Sequence, residues 1–231
     1  MSGWAVRATA LREAMDDPAC DPVKLDATYR QFRVVNRVVS GWRGVYRSRI
    51  RPLLSSAHDT RLLDIGSGGG DIARAIAGWA RRDGLRLQVL AADPDPRAHA
   101  FATREPHPGV AYLRASASEL AGAGERFDLV VSNHVLHHLE DLGGFLDECA
   151  PLAPRQLHGD IRRSRLAFGL YTVATLPVAG RSFLHGDGRA SIRRSYTLDE
   201  LRHAAPPGWH AESVRPFRVL LSRGLGAEGT A

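Results

Sequence analysis

The sequence predicts an α/β chain built on a mostly parallel sheet with helices on both faces. Three observations predict it. Short β-rich apolar runs alternate with stretches of helical period from Leu62 to Ala150. The first run, in Arg61-Leu-Leu-Asp-Ile-Gly-Ser-Gly-Gly-Gly-Asp71, breaks into glycines and restarts as the helical pattern Ile72-Ala-Arg-Ala-Ile-Ala-Gly-Trp79. The second, Gln88-Val-Leu-Ala-Ala-Asp93, ends in a carboxylate followed by prolines. Strand, tight turn and helix in repetition is the signature of a parallel sheet.

Taken in order, residues 1–58 read as a helical cap placed before the first strand. Trp4 to Met15 is amphipathic, and Leu25, Phe32, Val35, Val38 and Val39 recur at near-helical spacing. A parallel sheet covered on both faces does not need such a preface, so it is expected either to cover the site or to be a packing appendage. After strand one and its helix to about Arg82, Asp93-Pro94-Asp95-Pro96 stops strand two and pre-sets a helix start. Val110 to Leu113 is a short third strand and Phe127-Asp-Leu-Val-Val-Ser132 a fourth, with the next helix from about Asp141 to Ala150. The fifth strand, around Gln156 to Asp160, is poor in apolar residues. Residues 161–196 form an insertion, and Thr197-Leu-Asp-Glu200 is a capping box opening a helix through Ala205. Trp209 to Val214 and Phe217 to Ser222 read as a closing antiparallel pair within the domain 59–231, and the Gly- and Ala-rich tail after Arg223 as disordered.

Spacing decides which ligand the glycine turn can take. A dinucleotide fingerprint after Gly66 and Gly68 requires glycine at position 71, which is Asp71, and a P-loop requires a lysine that the turn lacks. What stands there is D-x-G-x-G-x-G, from Asp64 to Gly70. This resembles motif I of class I S-adenosylmethionine (SAM) methyltransferases, in which the acid and the loop backbone hold the cofactor's amino-acid end. Asp93 lies roughly 20 residues past the loop, as a ribose-binding acid should. Asn133-His-Val-Leu-His-His-Leu139 after strand four resembles the corresponding motif of the ubiquinone and menaquinone biosynthesis type of methyltransferase. Asp17-Pro18, Asp160-Ile-Arg-Arg-Ser164 and Asp187-Gly-Arg-Ala-Ser-Ile-Arg-Arg194 further resemble bacterial small-molecule methyltransferases often associated with type III polyketide synthases.

The resemblance implies a Rossmann-like, seven-stranded sheet, SAM as cofactor and S-adenosylhomocysteine as product. It implies cofactor contacts at Asp64, Gly66, Ser67, Gly68, Gly70, Asp93, Pro94, Ser116, Ala117, Asn133 and His134. Ser116 stands where the family usually carries an acid for the adenine amine; a hydroxyl can still make that hydrogen bond. In related O-methyltransferases the histidine at the place of His137 works beside an acid matching Asp160. His137 is therefore the first candidate base, with His138 beside it and Asp160 to orient the ring. The alternative is that these histidines only pack against the adenosyl group. A metal reading from His134, His138 and Asp141 lacks a dedicated ligand pattern, and no metal is expected.

Bulk properties narrow the partners. Among the 231 residues there are 31 Lys and Arg against 25 Asp and Glu, yet Lys24 is the sole lysine, and the arginines are scattered among acids without interleaved aromatics. Nucleic acid is thus not the expected partner. Cys20 and Cys149 have no metal or redox spacing and Arg7, Arg12 and Glu13 interrupt any signal-peptide core, so a cytoplasmic setting is expected. The apolar stretch Leu166 to Gly180 is too short to span a bilayer, though it can line a pocket or touch a membrane surface. Trp42, Tyr46, Phe168, Tyr171 and Phe183 are candidate pocket walls, and arginines 162, 163, 165, 189, 193 and 194 candidate contacts to an anionic group. The expected activity is methyl transfer to a small phenolic or polyketide-derived hydroxyl by a monomer or homodimer. The alternatives are C-methylation and a non-catalytic SAM-fold scaffold.

Overall fold

The computed structural model describes residues 4–225, less the side chains of residues 38 and 39. Its strands are β1 (Thr60–Ile65), β2 (Leu87–Ala92), β3 (Val110–Leu113), β4 (Leu129–Asn133), β5 (Arg155–Ile161), β6 (His210–Val214) and β7 (Arg218–Arg223). They form one sheet in the order β3-β2-β1-β4-β5-β7-β6. β1 to β5 are parallel, and β7 runs antiparallel to both β5 and β6. The order reverses between β1 and β4, and in open α/β sheets a ligand crevice opens beyond the carboxyl ends of the strands at such a point.

The helices are α1 (Pro22–Val39), α2 (Trp42–Val45), α3 (Asp71–Arg82), α4 (Pro96–Ala102), α5 (Ala117–Gly122), α6 (Leu142–Cys149), α7 (Arg165–Thr175), α8 (Leu184–Arg194) and α9 (Leu198–Ala204). Parallel strands are covered on both faces, which is why they read as near-continuous apolar runs. Leu62 of β1 points into a core shared with Trp42, Ile72 and Ile76 of α2 and α3. Leu63 and Ile65 point the other way, against Leu120 and Cys149 of α5 and α6. Each such buried aliphatic side chain contributes about 1.5–3 kcal/mol relative to exposure.

Two expectations need correction. Trp4 to Met15 is not a helix: it is a chain of turns ending in a 3₁₀ turn, Ala14–Asp16. Its backbone groups are satisfied across the fold instead. Ala8 N–H donates to the Arg193 carbonyl, and the Ala14 and Met15 N–H groups donate to the two carboxylate oxygens of Asp187 on α8. Tertiary partners thus replace helical ones, overriding the local period.

The fifth strand, poor as its sequence is, forms in full from Arg155 to Ile161. Gln156, His158 and Asp160 alternate onto one face and all three are buried. They are satisfied rather than apolar: Gln156 Nε2 donates to the Cys149 carbonyl, its Oε1 meets His158 Nε2, and His158 Nδ1 meets Ser132 Oγ. Burial drives the His158 ring down to about 3, so it is neutral there. The capping box at Thr197 and Glu200 opens α9 as expected, and residues 226–231 of the tail lie outside the described residues.

Candidate active site

The glycine turn is forced by sterics. Gly66 has φ of 67°, and a β-carbon there would sit 2.6 Å from Val135 Cγ2, so only glycine leaves room. Gly70, also at positive φ, is the N-cap of α3. Between them Ser67 N–H donates to the Ala92 carbonyl, tying the turn to the end of β2. Asp93 continues that end: one oxygen accepts from Gly68 N–H at 2.8 Å and the other from Asp95 N–H at 2.9 Å. Pro94 beside it is exposed.

Asp64 sits beneath the turn, 1% exposed. Neither of its oxygens has a hydrogen-bond partner of good geometry among the described residues. Burial, then the charges of Asp71 and Asp93, hold its pKa well above the usual carboxylate range, against a weak opposing pull from the Ala73 amide. Asp64 and Asp93 thus lie near enough for the charge of one to raise the pKa of the other. A buried orphan carboxylate beneath a turn closed to side chains at Gly66 and Gly70 fits a cationic, hydrogen-bonding group at that spot.

Two further contacts bear on this end. Tyr29 of α1 packs within reach of Gly68 and Gly69, so α1 lies over the loop. Ser116 and Ala117 open α5 beyond β3, but the Ser116 hydroxyl donates to Glu119 Oε2 and accepts from Glu119 N–H. It is engaged as a helix cap, which a small polar residue before a Glu at the third helical position explains.

The histidines stand at the carboxyl end of β4. His134 has φ of 62°, a region that few residues with a side chain enter and that concentrates at functional sites. Its N–H donates to the Gly159 carbonyl, and Arg218 Nη1 donates to its Nε2 at 2.9 Å. Burial and that guanidinium push the His134 pKa well down, so the ring is neutral. Asn133 Oδ1 accepts from Trp42 Nε1 at 2.9 Å and from Arg218 Nη2.

His137 is held more tightly. Its backbone N–H donates to Asp160 Oδ2 at 2.8 Å and its Nδ1 lies 2.9 Å from Asp160 Oδ1, both groups being buried. Its other nitrogen, Nε2, lies 3.3 Å from Oε1 of Glu13, itself only 4% exposed. Burial alone would lower the His137 pKa; the charge and hydrogen bond of Asp160, then Glu13, outweigh it and raise it to about 9. Asp160 is pulled down in turn, its burial offset by His137, His134 and Arg218. At neutral pH the arrangement is an imidazolium between two carboxylates. Glu13 also accepts from Ser191 Oγ and faces Arg194 Nη1 at 3.6 Å. His138 is half-exposed, 3.5 Å from Asp16 and 3.9 Å from Glu13.

The structure thus joins His137 to Asp160 and joins Asn133 to His134. It adds Glu13 and Arg218, which the sequence reading did not single out as site residues, and places Arg194, a candidate anion contact, against Glu13. Glu13 and Ser191 are 178 positions apart, so no local pattern announces them. Of the pocket-wall aromatics, Trp42 reaches the site through Asn133. Tyr46 does not: it packs on Trp79 and donates to Asp83, away from the strand ends. Asp141 caps α6 through Gly144 N–H rather than joining His134 and His138. Ligand-type atoms do cluster within 4.8 Å in Glu13, His137 and His138 and in His134, His137 and Asp160. In both, the charged His137 and the adjacent guanidinium groups make the set an ion-pair network.

With a glycine-turned first βα junction, an acid beneath it and another beside it on this strand order, the chain can be compared with known proteins. Residues 63–153 match the family model described as a methyltransferase domain. The chain is 36% identical over 98 residues to a ubiquinone biosynthesis O-methyltransferase of Rhizobium etli (strain CIAT 652), covering 40% of this chain and 36% of that one. It is 35% identical over 128 residues to one of Methylobacterium sp. (strain 4-46), covering 52% of this chain and 48% of that one. The chain therefore spans about half or less of the length of these curated relatives. Among solved structures it is similar to the plantazolicin methyltransferase BpumL in complex with SAH, with a TM-score of 0.62 at 12% identity over 87% of this chain and 89% of that one. A SAM-dependent methyltransferase from Aquifex aeolicus gives a TM-score of 0.56 at 15% identity, over 87% and 97%.

Proposed function

We propose that this chain is a SAM-dependent methyltransferase that methylates a hydroxyl of a small, apolar acceptor, phenolic or polyketide-derived. The observation that carries the reading is the orphan Asp64 carboxylate under the Gly66 to Gly70 turn, with Asp93 fastened to Gly68 beside it. Asp64, Ser67 and the loop amides would hold the amino-acid end of SAM, Asp93 the ribose, and the start of α5 at Ser116 and Ala117 the adenine. When bound, SAM supplies an electrophilic methyl group on sulfur. The protein's part is alignment and exclusion of water, and such positioning is worth roughly 7–11 kcal/mol in well-oriented reactions.

In the overall reaction a bond forms between the acceptor oxygen and the methyl carbon. The carbon–sulfur bond breaks with its electron pair going to sulfur, and the acceptor's proton is released. His137 rests protonated with both ring nitrogens engaged, Nδ1 by Asp160 and Nε2 by Glu13, so its resting role is to fix the ends of β4 and β5 and the Asn133–His134 turn beside the cofactor. Residues 1–58 serve as a cap over this site and residues 161–196 as the insertion that shapes the acceptor pocket. The support is that Tyr29 lies on the glycine loop and that Asp187 and Ser191 hold the segment carrying Glu13.

A second reading, C-methylation of a phenolate, is favoured by one observation: Asp160 and Glu13 engage both His137 nitrogens, which leaves that ring uncommitted to a hydroxyl proton. Calorimetry with SAM and S-adenosylhomocysteine tests the whole reading. Binding of both, weakened at least about tenfold by Asp93→Ala, is expected. If neither ligand binds at millimolar concentration, the enzyme reading falls and a non-catalytic scaffold takes its place.

A further inference from the structure

The outer face of α7 is apolar where a surface helix is normally polar. Leu166, Leu170 and Val173 are 61%, 55% and 73% exposed, and Leu176 just beyond the helix is 63% exposed. These are half of the large exposed hydrophobic residues among the described residues, gathered in one short segment. Gly169, Ala174 and Pro177 are also exposed, filling the same stripe at helical spacing. The inward side, in contrast, carries Ala167 and Thr175. This is a helix whose amphipathicity points outward, and contiguous exposed apolar surface of that kind marks a docking face.

Charge identifies the occupant. No acidic residue occurs between Asp160 and Asp187, and both of these are buried. The stripe is bounded instead by Arg165 at one end and Arg181 at the other, both exposed and without an ion pair among the described residues. A second copy of the chain docking by two-fold symmetry with the stripes antiparallel would bring Arg165 of one copy towards Arg181 of the other, with no acid in the stripe to receive either. The face also lacks exposed aromatic residues, the usual anchors of protein interfaces, and consists of aliphatic side chains on a convex helix. Leucine and valine on one face with arginine at the margins is the composition of a helix lying in the headgroup region of an anionic bilayer. We infer that α7 and the turn through Arg181 dock this protein on the surface of a membrane containing anionic phospholipid, without spanning it. No helix among the described residues is long and apolar enough to span one.

The inference rests on the surface alone and is independent of the methyl-transfer reading. Flotation of the purified full chain with vesicles of phosphatidylcholine plus phosphatidylglycerol, against phosphatidylcholine alone, tests it. The expected result is binding at least about tenfold stronger to the anionic vesicles, falling as salt is added. The double substitution Leu170→Asp and Val173→Asp should reduce that binding at least about tenfold, and Arg165→Glu with Arg181→Glu should abolish the preference for anionic lipid. Thermal melting confirms that each variant folds, and Leu170→Ser with Val173→Ser replaces the aspartate pair if it does not. Absence of binding to anionic vesicles overturns the inference, as does equal binding by the folded variants. A concentration-dependent dimer in sedimentation velocity that the same substitutions dissolve, without vesicle binding, overturns it in favour of a self-interface.

Discussion

The ion pair of His137 with Asp160 makes a prediction about stability that can be worked through. The folded-state pKa of His137 is raised from 6.5 to about 9. A histidine that binds its proton more tightly when folded stabilises the fold fully below its unfolded value, and that stabilisation is lost as pH rises through the folded value. At about 1.4 kcal/mol per unit, the contribution is about 3 kcal/mol near pH 6, and it is gone by about pH 9.5. Asp160→Asn removes the largest cause of the raised value, so the variant should lack this alkaline loss. The buried Cys149 thiol, pushed up to about 12, steepens the fall of both proteins above its unfolded value. The quantity to measure is therefore the difference between them. Urea unfolding of wild type and Asp160→Asn across this range should give a stability difference that shrinks by about 3 kcal/mol as pH rises. A difference that stays constant refutes the claim that a buried imidazolium holds the two strand ends together.

Three other substitutions probe separate parts of the site. Gly66→Ala puts a β-carbon 2.6 Å from Val135 Cγ2 at a positive φ, which should cost about 1–3 kcal/mol of stability and abolish SAM binding; a melting temperature and affinity equal to wild type would contradict it. Glu13→Gln should leave SAM binding intact while lowering the titration midpoint of His137 from about 9, followed by NMR of the ring protons, with the pH profile of kcat moving the same way. An unmoved midpoint would reduce Glu13 to packing. His134→Gly relieves the left-handed backbone at that position but removes the acceptor of Arg218; we expect a fold at least as stable, and a reduced kcat that addition of imidazole does not restore.

The sheet was legible because its signals are local. Leu62 to Ile65, the glycines that follow and Asp93 before Pro94 each state a strand, a turn and a stop within a few residues, and the structure places all of them accordingly. The fifth strand looked weak because Gln156, His158 and Asp160 are polar. They pair with one another and with Ser132, Cys149 and His137, which sequence order does not display. Trp4 to Met15 misled for the converse reason: its period is helical, but Asp187 and the end of α8 offer its N–H groups better partners.

By itself, then, the sequence determined the parallel core and the cradle of Asp64, Gly66, Gly68, Gly70 and Asp93, because a backbone that must turn without side chains leaves its mark in adjacent residues. Only the tertiary structure decided the charge state of His137. That depends on Glu13 and Asp160 meeting His137 at one buried point from distant parts of the chain, where low dielectric makes their mutual energies large and no spacing rule records the encounter.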